Sequence, residues 1–261
     1  MNAYAKAFWV QKNGNSEAEY EDACFPRHTE CRKGHNLRFA VADGASAASF
    51  SNVWARMLTS AFVRRTINLL TSDELCPLQE NWKRKVGGRP LPWYAEEKLA
   101  RGSFSTFLGL ELTDSDNEGE AKRSWQAVAC GDSCLVQVRS GEMIAAFPLK
   151  DSAAFTSVPD LVSTLPGQSG EQNNAVITAA GSWMDDDTFF MMTDALACWF
   201  FKEKESDCHP WDVLRDFDTR HQMSFLELIT SLRSTGALKN DDVTLMRVDI
   251  LSLNEQLCPG H

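Results

Sequence analysis

The stretch Phe39-Ala40-Val41-Ala42-Asp43-Gly44-Ala45-Ser46 constrains the chain most, because a short apolar run stops abruptly on a carboxylate followed by glycine. Small and β-branched residues suit a buried strand, and Asp-Gly is turn chemistry. The pattern therefore predicts Asp43 at a strand end, with the Gly44 backbone open to close approach by a ligand. The same grammar recurs. Phe189 to Met192 run into Thr193-Asp194, and Asp241-Asp242 open the apolar run Val243 to Val248. With Tyr20-Glu21-Asp22-Ala23 near the start, four separated segments put carboxylates at the edge of apolar runs.

Composition narrows the classes. At 261 residues with 43% apolar content, the chain can bury a sizeable core, and one domain over 1–261 is expected. A net charge of −10 argues against a nucleic-acid partner, since phosphate backbones are bound through clustered Lys and Arg. The short basic run Lys83-Arg84-Lys85 reads as a solvated face. No run of about 18 apolar residues occurs and the start lacks a hydrophobic core of signal-peptide length, so a cytoplasmic protein with no membrane partner is expected. The eight cysteines are too sparse for a disulfide scaffold and are expected to be reduced thiols.

Taken in order, Ala7 to Val10 read as a first strand, followed by a turn at Asn13 to Ser16 and the acidic pair. Cys24, His28, Cys31 and His35 mix zinc-type ligands, yet their spacing matches no zinc module, and a hairpin loop is the expectation. Ser46 or Ser49 is expected to cap a helix whose stripe of Phe50, Val53, Trp54, Met57, Leu58, Phe62 and Ile67 faces the core. Thr71 to Pro92 read as a connection with some helix at Leu78 to Lys85, and Trp93 to Ala100 as helix. Gly102 to Leu110 read as a buried strand, Thr113 to Lys122 as an exposed hairpin loop, and Trp125 to Ala129 and Cys134 to Arg139 as strands flanking Gly131-Asp132-Ser133. Lys150 to Asn174 read as a long surface excursion. Ala175 to Ala179, Thr188 to Met192 and Val243 to Val248 are further strands, Trp211 to Phe217 and Phe225 to Leu232 helices, and Asn254 to His261 a frayed tail.

Acids converging from four segments repel one another, by about 3 kcal/mol per pair at about 5 Å and an effective dielectric of about 20. A cation is needed to hold them. All-oxygen ligands favour Mg²⁺ or Mn²⁺ over zinc, and Gly44 could add its carbonyl. Two such ions lower the pKa of a shared water from about 15.7 toward about 7, which points to metal-dependent phosphate hydrolysis. The rival routes are missing from the letters: there is no Cys-x5-Arg loop, no Gly-x-Ser-x-Gly elbow and no Gly-x4-Gly-Lys-Ser/Thr loop.

The series Tyr20-Glu21-Asp22-Ala23, Val41-Ala42-Asp43-Gly44, Gly102 to Thr106, Gly131-Asp132-Ser133, Thr193-Asp194-Ala195-Leu196 and Asp241-Asp242-Val243-Thr244 resembles, in that order, the motifs of PP2C-type (PPM) protein serine/threonine phosphatases, and closest their compact bacterial branch. The resemblance implies an α+β fold, a four-layer α-β-β-α sandwich of two mostly antiparallel sheets flanked by helices. It also implies a Mg²⁺ or Mn²⁺ centre of two ions at one rim. By position, Asp43 would bridge both ions, the Gly44 carbonyl would bind the first, and Asp194 and Asp241 would hold the second. Glu21 and Asp22 would bind that ion or orient its waters, and Asp132 would contribute to a weaker third ion. Asp22, Asp43 and Asp194 are the residues expected to carry catalysis. A phosphoprotein substrate, an opposing Ser/Thr kinase and a monomeric state are the expected partner relations.

Three departures from the family pattern stand in the sequence. Asp43-Gly44-Ala45-Ser46-Ala47 replaces Asp-Gly-x-Gly-Gly, and Asp194-Ala195-Leu196-Ala197-Cys198 lacks the second acid that would help hold a third ion. Glu17 stands where many members place an Arg that grips substrate phosphate, with Lys12 or Arg27 as candidate substitutes. The alternative reading is therefore a pseudophosphatase or adaptor that keeps the fold. A metal-dependent nuclease is a third reading, opposed by the negative charge.

Overall fold

The structure, a computed structural model, describes residues 1–46, 48–87, 100–117, 120–167, 176–217 and 222–252. A six-stranded antiparallel sheet has the order β3-β1-β13-β12-β8-β9, where β1 is Asn2–Val10, β3 Glu30–Lys33, β8 Cys134–Arg139, β9 Glu142–Phe147, β12 Thr188–Met192 and β13 Val243–Leu251. A five-stranded antiparallel sheet has the order β11-β7-β6-β4-β2, with β2 Ala23–Phe25, β4 Asn36–Ala42, β6 Phe107–Asn117, β7 Glu120–Cys130 and β11 Val176–Ser182. A small pair joins β5, Phe104–Ser105, to β10, Val162–Ser163.

The two-residue period of the strands sorts side chains into separate layers. Ala3, Ala5 and Ala7 of β1, Phe189 and Met191 of β12, and Met246, Val248 and Ile250 of β13 point inward. They meet Leu37, Phe39 and Val41 of β4 and Leu108, Leu110 and Leu112 of β6 in the core between the sheets. The register sets each small β1 residue beside a large β13 partner, Ala3 by Ile250 and Ala7 by Met246, so neighbouring side chains fill the space without crowding. Fully buried aromatics such as Phe39 and Phe189 each contribute about 2–3 kcal/mol of apolar transfer.

The alternate residues face outward and are covered by helices. Phe190, Met192, Val136 and Leu245 pack under α3 (Asp194–Glu205), α4 (Pro210–Arg215) and α5 (Gln222–Ser234). Ala40, Ala42, Phe107 and Val128 pack under α1 (Ser51–Val63) and α2 (Ser72–Gly87). The layers therefore run helix, sheet, sheet, helix, as the family resemblance implies.

Several local expectations are corrected. Helix α1 begins after Phe50, a left-handed residue (φ 61°) with no side-chain cap, instead of after Ser46 or Ser49. Ser51, at the first helical position, spends its hydroxyl on Glu21 (2.6 Å). Within the expected loop Thr113 to Lys122, the described residues Thr113 to Asn117 and Glu120 to Lys122 are strand: backbone pairing continues from Thr113↔Ser124 to Asn117↔Glu120, past the point where the core sets the pattern. Helix α2 runs a full Ser72–Gly87 with Pro77 inside it. Strands β7 and β8 flank Gly131-Asp132-Ser133 as expected but belong to different sheets, and the Cys24 to His35 segment, expected as a hairpin loop, crosses from one sheet to the other. Within Lys150 to Asn174, Val162, Ser163 and Thr164 are buried, so that part is no surface excursion. Cys31 is disulfide-bonded, against the expectation of reduced thiols, whereas Cys24, Cys76, Cys130, Cys134, Cys198 and Cys208 are free. Counting cysteines per length cannot register a pairing that the fold creates. The helix expected at Trp93 to Ala100 and the tail Asn254 to His261 lie, but for Ala100, outside the described residues.

Among the described residues, no helix is long and apolar enough to cross a membrane.

Candidate metal centre

The site forms where strand ends of the two sheets meet. Strand β4 delivers Asp43 one residue past its end, and its pairing with β2, Ala42 opposite Ala23, sets Asp22 next to Asp43. From the other sheet, β12 runs through Thr193 to Asp194 at the first position of α3, and β13 starts directly after Asp241-Asp242. The pairing of β12 with β13, Met192 opposite Leu245, brings both to the same edge.

Backbone contacts explain the Gly102 to Thr106 motif. The Asp43 carbonyl accepts from the Thr106 amide (2.8 Å) and from Ser105 Oγ (2.8 Å), while the Asp43 amide donates to Thr106 Oγ1 (3.1 Å). Thr106 Oγ1 also bonds Ser133 Oγ (2.9 Å), tying Asp43 to the turn that carries Asp132. That turn requires glycine. Gly131 has φ +97°, and a Cβ there would meet the Asp160 carbonyl at 2.7 Å and Thr106 at 2.8 Å. Gly44 is equally constrained, since a Cβ would stand 2.7 Å from the Glu21 carbonyl.

Asp22 lies at the centre and is 1% exposed. Its Oδ2 accepts from Thr193 Oγ1 (3.0 Å) and Thr244 Oγ1 (2.8 Å), one hydroxyl from the end of each central strand. The Tyr20 hydroxyl bonds Thr244 Oγ1 and donates to the Val243 carbonyl (3.3 Å). The other oxygen, Asp22 Oδ1, is buried without a partner, and so is Asp132 Oδ1.

Electrostatics follow from this crowding. Burial, reinforced by Asp242 and Asp194, pushes the Asp22 carboxyl well above the ordinary carboxylate range. Burial raises Asp43 in the same way, with added repulsion from Asp22, Asp194 and Asp241. Burial and the nearby Asp194 raise Asp132 to about 7. Burial also raises Asp194, and there the Lys239 ammonium pulls the other way. Asp22, Asp43, Asp132, Asp194 and Asp241 thus form one cluster whose members feel each other's charge.

The remaining predicted residues are placed differently. Glu21 turns its carboxylate to Ser51 at the start of α1. Asp242 accepts from the Lys12 amide (2.8 Å) and the Glu21 amide (2.7 Å), so it ties two loops together. Glu17 sits in an exposed 3-10 turn. Of its two candidate substitutes, Lys12 reaches to 3.9 Å from Asp241 Oδ1, whereas Arg27 is exposed and its charge acts on Cys24 and Arg56. Lys12 also lines a groove of about 440 Å³ with Asn15, Glu21, Ser46, Ser51 and Asn52.

Sequence reasoning assigned no role to Thr193, Thr244 or Lys239. The threonines stood inside the quoted motifs, one residue before Asp194 and two after Asp242, and hydroxyls so close to strand-end acids were the available signal. Lys239 carried a local signal only toward Asp241, two residues on and its closer partner, whereas Asp194 is 45 residues away.

Among the described residues, no three acidic, histidine or cysteine side chains are gathered so as to hold an ion as they stand. Asp194 instead caps its own helix through the Ala195 amide (2.6 Å), and Lys239 Nζ stands 2.7 Å from Asp241 Oδ2 and 3.5 Å from Asp194 Oδ2. In chemistry the donors fit a hard divalent cation: they are all oxygen, they repel one another, and two buried carboxyl oxygens lack a partner.

Comparison with known proteins agrees with the fold. The family model for protein phosphatase 2C matches residues 13–238. No curated protein sequence matches the chain. Among solved structures, the chain is similar to the Mycobacterium tuberculosis serine/threonine phosphatase PstP/Ppp, with 15% identity and a TM-score of 0.58 over 97% of this chain and 100% of that one. A serine/threonine phosphatase of S. agalactiae gives 14% identity and a TM-score of 0.57 over 96% of this chain and 100% of that one. The catalytic domain of PstP in complex with two manganese ions gives 13% and 0.57, over 96% and 100%. With the family model spanning most of its length and the two-sheet architecture in place, the chain belongs to the protein phosphatase 2C family.

Proposed function

We propose that the protein is a Mg²⁺- or Mn²⁺-dependent protein phosphatase that hydrolyses phosphoserine and phosphothreonine. One observation carries the reading: Asp22, Asp43, Asp132, Asp194 and Asp241 are clustered at one rim, and buried oxygens of Asp22 and Asp132 have no partner. Asp43, the Gly44 carbonyl, Asp194 and Asp241 would hold two ions, with Glu21 and Asp22 beside them and Asp132 toward a third. Bound there, the ions would polarise the phosphoryl oxygens and acidify an attacking water.

The chain's own contribution is placement. Thr193 and Thr244 fix Asp22 in one orientation, and Thr106 and Ser105 fix the Asp43 backbone. The groove beside Glu21, with Lys12 at its edge, gives a phosphorylated side chain room to approach. The substrate is a phosphoprotein, with a Ser/Thr kinase opposing the reaction.

A second reading has its own support. The Lys239 ammonium already pairs with Asp194 and Asp241, and Ala195 and Cys198 depart from the family pattern. These features favour a pseudophosphatase or adaptor. Turnover of a phosphopeptide with Mn²⁺, beside Asp43→Asn and Asp194→Asn, separates the readings. Activity in the parent that both variants lose supports the enzyme; equal turnover in parent and variants removes the metal mechanism; no turnover and no Mn²⁺ binding in the parent favours the adaptor.

A further inference from the structure

We propose, resting on the metal-centre reading above, that Lys239 is a built-in counter-ion for the Asp194–Asp241 pair, which a divalent ion at those two carboxylates must displace. The ammonium spans both acids, 2.7 Å from Asp241 Oδ2 and 3.5 Å from Asp194 Oδ2. A second lysine, Lys12, stands 3.9 Å from the other oxygen of Asp241, so that carboxylate is flanked by cations on both sides.

The backbone beneath Lys239 is firmly set. Leu238, 3% exposed, is buried in the outer core, and its amide donates to the Leu232 carbonyl (3.1 Å). The Asp241 amide donates to the Lys239 carbonyl (3.0 Å). Arg233 Nη2 donates to the Asp241 carbonyl (2.5 Å), and Arg233 Nη1 to the Gln11 carbonyl (2.9 Å). The loop thus aims the lysine at the acids, while the side chain itself is 67% exposed and free to swing into water. An exposed ion pair of this kind is weak and salt-sensitive, which makes it displaceable.

The consequence is an asymmetric centre. Asp22 and Asp43 are crowded by other carboxylates and held by hydroxyls and backbone, with no lysine in their described ion pairs, whereas the Asp194–Asp241 side is already partly neutralised. Two Mn²⁺ ions therefore bind with unequal affinity, and the weaker step is the one that evicts Lys239.

Calorimetric titration of the full chain with Mn²⁺ tests this without any activity measurement. In Lys239→Met the weaker binding step should tighten about tenfold, as expected from removing one nearby positive charge and its ion pairs. Lys239→Gln should behave the same way, and Lys239→Arg, which keeps the charge, should stay within about twofold of the parent. The gap between parent and Lys239→Met should narrow in about 0.5 M NaCl. Unchanged affinity in both Met and Gln variants, with melting temperatures showing intact folds, overturns the role of Lys239 and leaves the metal centre standing. Absence of Mn²⁺ binding in parent and variants alike overturns both.

Discussion

The two ends of the β12–β13 pair treat buried acids in opposite ways. At the far end, Asp187 is fully buried and completely answered: Arg139 donates Nε to Oδ1 (2.8 Å) and Nη2 to Oδ2 (2.7 Å), while Gln137 Nε2 and the Met184 amide also reach Oδ2 (2.8 Å each). Its neighbour Asp249 accepts from Arg247 Nε (3.0 Å) and Thr188 Oγ1 (3.1 Å). At the near end, Asp22 faces Asp43 and has only hydroxyls on one oxygen and nothing on the other. A buried acid costs several kcal/mol unless it is paired. One end of this strand pair thus meets acids that hold the fold together, and the other meets acids of the five-stranded sheet that weaken it, the kind that fits the proposed cation site.

The largest effect should come from exchanging charges at the two ends. Asp43→Asn and Asp194→Asn are expected to lower Mn²⁺-dependent phosphopeptide turnover by at least about a hundredfold, while the metal-free variants melt no lower than the parent, since a repelling charge is gone. Asp187→Asn should do the reverse, costing about 3 kcal/mol of stability in urea titration and leaving turnover near the parent level. If Asp187→Asn loses activity without losing stability, the distinction between the ends fails.

Smaller effects should follow from the hydroxyls that hold Asp22. Thr193→Val or Thr244→Val is expected to weaken Mn²⁺ binding by about ten- to a hundredfold, with the Ser variants restoring it. A Ser variant no better than Val would mean that packing, and not the hydrogen bond, is what matters.

The mildest lever is pH. In chelator-treated protein the folded state keeps protons on Asp132, raised to about 7 from an ordinary 3.8, that the unfolded chain has already released. Asp22 and Asp43 shift in the same direction. The stability linked to Asp132 is complete below about pH 4 and is lost as pH rises through about 7, and that linked to Asp22 and Asp43 declines in the same direction as pH rises. Scanning calorimetry of the chelated protein should therefore give a lower melting temperature at pH 8 than at pH 5. A rise over that interval would contradict the account.

Much of the fold was legible because strand period and core burial agree. Thr188 to Met192 form β12 with the predicted limits, Asp43 stands just past the end of β4, and Trp54, Leu58 and Phe62 of the predicted stripe are buried on α1. Misreadings arose where tertiary contacts overrule local preference. The β6–β7 hairpin stays paired through polar residues that look like a loop, and α1 starts without a serine cap because Ser51 serves Glu21. The Gly131-Asp132-Ser133 turn joins two sheets, which spacing along one chain cannot reveal. At the site, the gathering of Asp22, Asp43, Asp194 and Asp241 followed from acids at strand ends. The bonds of Thr193 and Thr244 to Asp22 and of Lys239 to Asp194 depend on which strands become neighbours, whereas the Lys239–Asp241 pair is a local one that went unread.

The most direct test is the melting temperature of chelator-treated protein with and without millimolar Mn²⁺. A ligand selective for the folded state must stabilise it, and for a chain of this size saturating metal should raise the melting temperature by about 5 °C or more, with Asp43→Asn largely abolishing the gain. An unchanged melting temperature in the parent would show that the unpaired acids are not waiting for a cation.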